Sequence, residues 1–369
     1  MREEFVLDEV VTVLREDGSA DPATDPGLPE DTLVRLYKHL VLTRAVDERL
    51  VTLQRQGRIG FHIGSLGEEA AILGSAAALY DDDWLFPCYR EFGALLLRGM
   101  PLQTYLDNMY GNGRDPVKGR QMPDHYTGRP YRFGSVSSPI GTQITQAVGF
   151  SWAAKLRGEK IAASVYFGDG ATSSSEFHNG LNFAGVFKTP TVFLCRNNGW
   201  AISVPVAQQT ASPTFAQKGF AYGVPGVRCD GNDLLAVYKV TRDAVDRARA
   251  GGGPTLIELL THRLSGHSTS DDPKAYRAEA EMQAERARDP LPRLRRHLEL
   301  RGLWSEAAQR AHTDALEAGL KAAVQSAEAA AAPSVETLFD DVFAARPWHL
   351  EEQRAACLAA PRARGHGAH

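Results

Sequence analysis

The chain has 369 residues, 43% hydrophobic and 23% charged, an ordinary globular composition with length for one large domain plus extensions or for two domains. Its 41 basic and 45 acidic side chains leave a formal net charge of −4, which excludes a general electrostatic attraction to nucleic acid or acidic lipid. No apolar stretch approaches the roughly 20 residues that span a bilayer, so no membrane association is expected.

Residues 1–29 carry many acids, three prolines and little periodicity, and read as an extended N-terminal arm. The start, Met1-Arg2-Glu3-Glu4-Phe5, lacks the apolar run of a secretory signal and the acid-poor character of a mitochondrial presequence. The cysteines, Cys88, Cys195, Cys229 and Cys357, are far apart and form no CxxC, which fits a reducing, cytoplasmic compartment. From Pro29 to Gln56, Leu33, Leu36, Tyr37, Leu40, Val41, Ala45 and Leu50 recur at helical spacing. A glycine-rich turn over 57–67 leads into a small-residue helix from Glu68 to Leu79. The stretch 111–138 is polar and rich in glycine and proline, a length of loop that is uncommon unless it has a function. A further helix is expected from near Gly141 through Ala154. A last strand is expected over 255–263, and helices rich in Ala, Arg and Glu over about 278–332. The domain reading is an α/β domain at 30–277, a helical C-terminal extension at 278–360 and a frayed tail at 361–369.

The most informative stretch lies in the middle. The apolar run Ile161 to Phe167 stops at Gly168-Asp169-Gly170, and a second run, Thr191 to Cys195, ends at Arg196-Asn197-Asn198-Gly199-Trp200. A helix over Ser175–Val186 would join them as strand, helix, strand, so that both tips fall on one edge of a parallel sheet, where open α/β folds bind ligands. Asp169 and the Asn198 carboxamide then converge as hard oxygen ligands suited to Mg²⁺, with the backbone carbonyl of Trp200 as a third. Gly168 and Gly170 let backbone approach a diphosphate closely. Either dipeptide alone, Asp-Gly or Asn-Gly, is far more often a plain turn. The pairing, at this spacing, favours a metal–diphosphate site.

Three segments extend this pattern: Cys195 to Ser203, His267-Ser268-Thr269-Ser270-Asp271-Asp272, and Gly119-Arg120-Gln121-Met122-Pro123-Asp124-His125-Tyr126. With the GDG and NN motifs they closely resemble the α subunit of the E1 component of 2-oxo acid dehydrogenase complexes, in particular the branched-chain type, from about Leu33 to about Phe343. The resemblance implies a thiamine diphosphate-binding α/β fold with a central, mostly parallel sheet flanked by helices. It implies thiamine diphosphate and Mg²⁺ as cofactors, with Asp169, Asn198 and the Trp200 carbonyl on the metal. Tyr89, Arg90, Arg196 and His267 are then expected at the diphosphate with the backbone of Gly168, Gly170 and Ala171, and Ser138 and Ile140 at the aminopyrimidine. Phe61, Tyr89, Met122 and His125 match the substrate pocket, and His267 the catalytic residue that assists acyl transfer to lipoamide. Ser137, Pro139, Thr142 and Gln143 match a K⁺ site found in some members, although the same residues also suit a helix N-terminus.

The implied reaction is oxidative decarboxylation of a branched-chain 2-oxo acid with reductive acylation of the lipoyl group of E2. In this family the acid that activates the cofactor comes from the β subunit, so an α₂β₂ heterotetramer is implied, with the E2 lipoyl domain as a further partner. The chain departs from the family at Cys88 (often Gln), Trp200 (usually Tyr), Gly266 (usually a second His) and Asp169 (Glu in some branched-chain members). Ser268, a kinase target in mitochondrial relatives, is expected here to be a simple loop hydroxyl. Pyruvate dehydrogenase or acetoin dehydrogenase activity within the family, and a noncatalytic subunit that kept the fold, are the alternatives.

Overall fold

The structure, a computed structural model, describes residues 9–360; the first eight residues of the arm and the tail at 361–369 lie outside the described residues. Its strands in chain order are β1 (Val10–Val11), β2 (Trp84–Phe86), β3 (Ala163–Gly168), β4 (Thr191–Asn197), β5 (Trp200–Ala201), β6 (Val204–Pro205), β7 (Gly226–Asp230) and β8 (Thr255–Leu260). Six of them form one sheet in the order β1-β7-β8-β4-β3-β2, parallel at every pairing, while β5 and β6 make a small antiparallel ribbon. The mostly parallel sheet expected from the sequence is thus present and parallel throughout.

The helices in chain order are α1 (Glu30–Arg55), α2 (Glu69–Ala77), α3 (Phe92–Leu97), α4 (Leu102–Tyr110), α5 (Thr142–Leu156), α6 (Ser175–Phe187), α7 (Val206–Gln209), α8 (Leu234–Arg249), α9 (Glu279–Arg286), α10 (Pro290–Leu300), α11 (Glu306–Ala329) and α12 (Trp348–Ala359). Strand side chains alternate between the sheet's faces, and both faces are covered, so the strands read as continuous apolar runs. Tyr166, Val192, Leu194, Ile257 and Leu259 point into the core shared with α1, α2, α4 and α8. Ala163, Val165, Phe167, Phe193, Cys195 and Leu256 point to the opposite core, built with α5 and α6. Among the described residues no helix is long and apolar enough to cross a membrane.

Both ends of the chain fold back onto this body. Asp233 caps α8 by accepting from Leu235 N and Ala236 N, each at 3.1 Å, and its second oxygen accepts from Val13 N at 2.7 Å and Leu14 N at 2.6 Å. Val10–Val11 of the arm therefore complete the sheet as its half-buried edge, and Val13 and Leu14 just after them are buried. Leu294 and Leu298 of α10 and Trp304 just before α11 pack on Leu33, Leu36, Tyr37 and Leu40 of α1, and Leu320, Val324 and Ala327 of α11 join the first core.

Candidate cofactor and active site

Strands β3 and β4 are neighbours in register, with Gly168 opposite Arg196, so the residues just past their ends emerge side by side. Asp169 and Asn198 are those residues, and both are buried. They open onto a cavity of about 610 Å³. The lining brings together Phe61, Tyr89, Arg90, Met122, His125, Ser138 and Ile140 with Gly168, Asp169, Gly170, Ala171, Arg196, Asn198, Trp200 and His267. Residues drawn from seven separate stretches of sequence thus meet at the carboxyl edge of the sheet, the place where such folds bind ligands. Ser137, Pro139, Thr142 and Gln143 lie at the start of α5, off this lining. There the Thr142 hydroxyl donates to the Pro139 carbonyl at 3.0 Å, and the Gln143 amide donates to the Tyr166 carbonyl at 3.0 Å.

The donor set is oriented for a cation beside a polyanion. Asn198 Nδ2 donates to Glu68 at 2.8 Å, and its Oδ1 accepts from Trp200 N at 3.1 Å, so the amide cannot flip without losing both bonds. Asp169 accepts from Gln209 Nε2 at 2.7 Å. Burial and the nearby Glu68 carboxylate push the Asp169 pKa up, a penalty that a bound cation would remove. Arg196 is buried between Glu68 and Glu91, with the Glu91 contact at 2.5 Å, and its Nε has no partner among the described residues. Burial works against its charge, and Glu91 and Glu68 more than offset that. An unpaired buried guanidinium N–H in a cavity wall suits a phosphate oxygen.

His267 is held by Arg90, whose Nη2 donates to the ring Nδ1 at 3.1 Å and to the His267 carbonyl at 2.9 Å. Arginine only donates, so Nδ1 is the acceptor and the proton of the neutral ring sits on Nε2. Burial, with Arg90 and Arg263 nearby, lowers the His267 pKa to about 4 and keeps the ring neutral at physiological pH. The Tyr89 ring meets it edge-on at 6.0 Å. On the opposite wall His125 Nδ1 donates to the Pro123 carbonyl at 3.1 Å, which leaves Nε2 to accept from the Ser138 hydroxyl. Cys88 also faces the cavity, but burial and Glu91 push its thiol up to about 12, so it is a packing group rather than a nucleophile.

The family profile of the dehydrogenase E1 component matches residues 37–336. The chain belongs to that family. It is 42% identical to the 2-oxoisovalerate dehydrogenase subunit alpha of Bos taurus over 335 residues, covering 90% of this chain and 74% of the relative. Against the Arabidopsis thaliana subunit alpha 1 the identity is 43% over 343 residues, or 92% and 73% of the two chains. Against the 2-oxoisovalerate dehydrogenase subunit alpha of Pseudomonas aeruginosa it is 41% over 352 residues, or 94% and 86%.

Sequence reasoning missed three groups of this E1 site: Glu68, Glu91 and Gln209. Glu68 joins Arg196, Asn198 and, at 3.8 Å, Arg90. A signal was present, because Glu68 and Glu69 lead into a helix that is apolar on every side and buried from Glu69 to Ala76. Acids with no polar face to sit on must have buried partners. Glu91 and Gln209 carried no such mark.

Proposed function

We propose that this E1 chain is the α subunit of a branched-chain 2-oxo acid dehydrogenase, working with a β subunit in an α₂β₂ heterotetramer and delivering its acyl product to the lipoyl domain of E2. The observation that carries the reading is the meeting of Asp169, Asn198, Arg90, Arg196 and His267 on one cavity at the tips of adjacent parallel strands. Mg²⁺ fits Asp169 Oδ, Asn198 Oδ1 and the Trp200 carbonyl as an all-oxygen set, leaving positions for phosphate oxygens and water. Arg90, Arg196 and His267 Nε2–H supply donors for a diphosphate, with the backbone of Gly170 and Ala171 alongside. When bound, thiamine diphosphate supplies the carbanion chemistry that decarboxylates a 2-oxo acid. The chain positions, neutralises and excludes water. Ser138 and Ile140 lie where the aminopyrimidine is expected, and Phe61, Met122 and His125 form the wall for an aliphatic acyl chain.

Among the described residues the only carboxylates on the cavity are Glu68 and Asp169, and neither suits the acid that activates the cofactor, Asp169 being assigned to the metal. Glu68 reaches the cavity, yet Arg196, Asn198 and Arg90 hold its carboxylate charged and turned toward the phosphate side, so it is not placed to serve an aminopyrimidine nitrogen. The rim also exposes Met122, Ile140 and Ile202, apolar side chains suited to cover by a second subunit. Both features support a β subunit that closes the site and brings the missing acid. K⁺ at Ser137, Pro139, Thr142 and Gln143 belongs to this reading as a secondary, structural ion. A cytoplasmic location is in keeping with the four unpaired cysteines, Cys88, Cys195, Cys229 and Cys357.

The test is co-expression with the candidate β subunit and an assay of thiamine diphosphate- and Mg²⁺-dependent decarboxylation of 2-oxoisovalerate and pyruvate, for the wild type and Asn198→Ala. Preference for the branched acid, lost in Asn198→Ala, supports both the site and the substrate class. Preference for pyruvate would move the chain to the pyruvate branch. A stable complex inactive on both acids would revive a noncatalytic role.

A further inference from the structure

His62 sits where three loops of the cavity wall meet, and its side chain is fully buried. Its Nε2 lies 3.0 Å from Asp47 Oδ1, on α1, and its Nδ1 lies 3.1 Å from Asp124 Oδ2. Carboxylates accept and do not donate, so both ring nitrogens must carry protons and the ring is a cation. Burial alone would strip that proton, but Asp124 and Asp47 on either side raise the pKa to about 10. The backbone of the same residue faces the third loop: His62 N donates to Thr269 Oγ1 at 3.1 Å, and its carbonyl accepts from Thr269 N at 3.0 Å.

Each loop so tied carries residues of the cavity lining. Phe61 and Ile63 flank His62 itself, Met122 and His125 flank Asp124, and His267 is two residues before Thr269. The anchoring is redundant on both sides. Asp47 also accepts from Ser65 N at 2.5 Å, and Asp124 also accepts from Ile63 N at 2.6 Å and the Tyr105 hydroxyl at 3.1 Å. Asp124 is held at φ +64°, in the left-handed region that Asp tolerates better than most non-glycine residues. Gly64 admits the carboxylate, since a Cβ there would stand 2.2 Å from Asp47 Oδ1. A buried ionic cluster is a poor source of stability compared with apolar packing, and its best-attested use is to impose one arrangement over others.

We propose that the Asp47–His62–Asp124 cluster is a positioning device that locks the Phe61, Met122–His125 and His267 loops at one spacing and thereby sets which acyl chains the cavity accepts. The proposal rests on the reading of this cavity as the 2-oxo acid site. His62 does not line the cavity, so it acts through its neighbours and not on the substrate. Cofactor binding rests mainly on Asp169, Asn198 and Arg196, which the cluster does not touch, so the loss of His62 is expected to weaken it less than it weakens substrate discrimination.

The test uses the assembled complex with His62→Gln. Expected results are a rise of about tenfold in KM for 2-oxoisovalerate relative to pyruvate, from misplacement of the pocket wall by a fraction of an ångström, with kcat lowered alike for both acids and Mg²⁺–thiamine diphosphate affinity within about threefold. Amide hydrogen exchange is expected to quicken over 119–127 and 265–272 and to stay unchanged in β3 and β4. An unchanged KM ratio, or unchanged exchange in those loops, overturns the proposal. If wild type turns over no 2-oxo acid, the functional reading fails on its own, and the exchange comparison still decides for or against the clamp. If His62→Gln does not assemble, Thr269→Val removes only the 3.1 Å bond from His62 N. Faster exchange confined to 265–272 then supports the clamp, and no change overturns it.

Discussion

Replacing Glu68 with glutamine removes one negative charge from the base of the cavity and preserves the side chain's shape. Glu68 is fully buried, in contact with Arg196, 2.8 Å from Asn198 Nδ2 and 3.8 Å from Arg90. Burial would raise its pKa, but Arg196, Arg90 and Asn198 overcome that and hold it below the ordinary 4.5, so the carboxylate is charged at neutral pH. Breaking a buried ion pair from one side costs about 3–5 kcal/mol, because the remaining charge is left uncompensated. Glu91 still holds Arg196 at 2.5 Å, which puts the expected loss near the lower end, about 3 kcal/mol. For 369 residues at about 2.1 cal/mol/K each, the melting entropy is about 0.8 kcal/mol/K, so Glu68→Gln should lower Tm by about 4 °C. Mg²⁺–thiamine diphosphate offers Arg90 and Arg196 a new anion, so the deficit should shrink when the cofactor is present. The assay is thermal melting of the complex with and without Mg²⁺–thiamine diphosphate. The sign with pH follows: the Glu68 contribution is present above its ordinary pKa and is lost as pH falls through the lowered one, so wild type and variant should converge in acid. An unchanged Tm without cofactor, or an equal deficit with and without it, would refute the reasoning.

Gly67 has φ +94°, and a Cβ there would stand 2.1 Å from the His262 carbonyl oxygen; Gly67→Ala should therefore cost more than about 2 kcal/mol. Gly57→Ala is its control, at φ +70° with open space around it, and should cost only about 1 kcal/mol; equal losses in chemical denaturation would show that the contact is unimportant. His62 has a raised pKa of about 10, so its contribution to stability is complete below about 6.5 and fades as pH rises toward 10. The denaturation midpoint should accordingly fall between pH 6.5 and 10 in the wild type by more than in His62→Gln. Identical pH slopes in the two proteins would contradict the imidazolium assignment.

The parts legible in sequence were those with a local signature. Strands β3 and β4 announced themselves as apolar runs ended by Gly168 and Asn198, and helix α6 lay between them as expected. The shorter elements did not. Strand β2 is three residues, Trp84–Phe86, and β7 places the half-buried Val227 and Arg228 in a five-residue run, so neither shows a usable period. Helix α8 was legible but overlooked, since Leu234, Val237, Thr241, Ala244, Val245 and Ala248 form a buried stripe behind the Asp233 cap. At the site, residue types that bind metal or phosphate stood out once placed on strand tips. Glu91 and His62 did not, and Glu68 showed only that it needed a buried partner and not which one, because their partners are far away in sequence: His62 meets Asp124, 62 positions on, and Glu68 meets Arg196, 128 positions on.

The edge strand made by Val10–Val11 has a consequence for the order in which this protein is made. Its partner in the sheet is Arg228–Cys229, and Val13 reaches the Asp233 carboxylate across 220 positions. A ribosome adding about 5–20 residues per second takes on the order of 10 to 45 seconds to cover that distance. For that whole interval Val10 and Val11 lack their strand partner, and the Val13 and Leu14 amides lack the Asp233 carboxylate, although α1 already offers part of the apolar surface they pack on. The strands β3 and β4, joined by a single short helix, can pair long before. Strand β1 is therefore among the last strands to be placed although it precedes all the others in the sequence, and a chain stalled before Arg228 leaves a sheet edge unpaired, a feature that invites association with other chains.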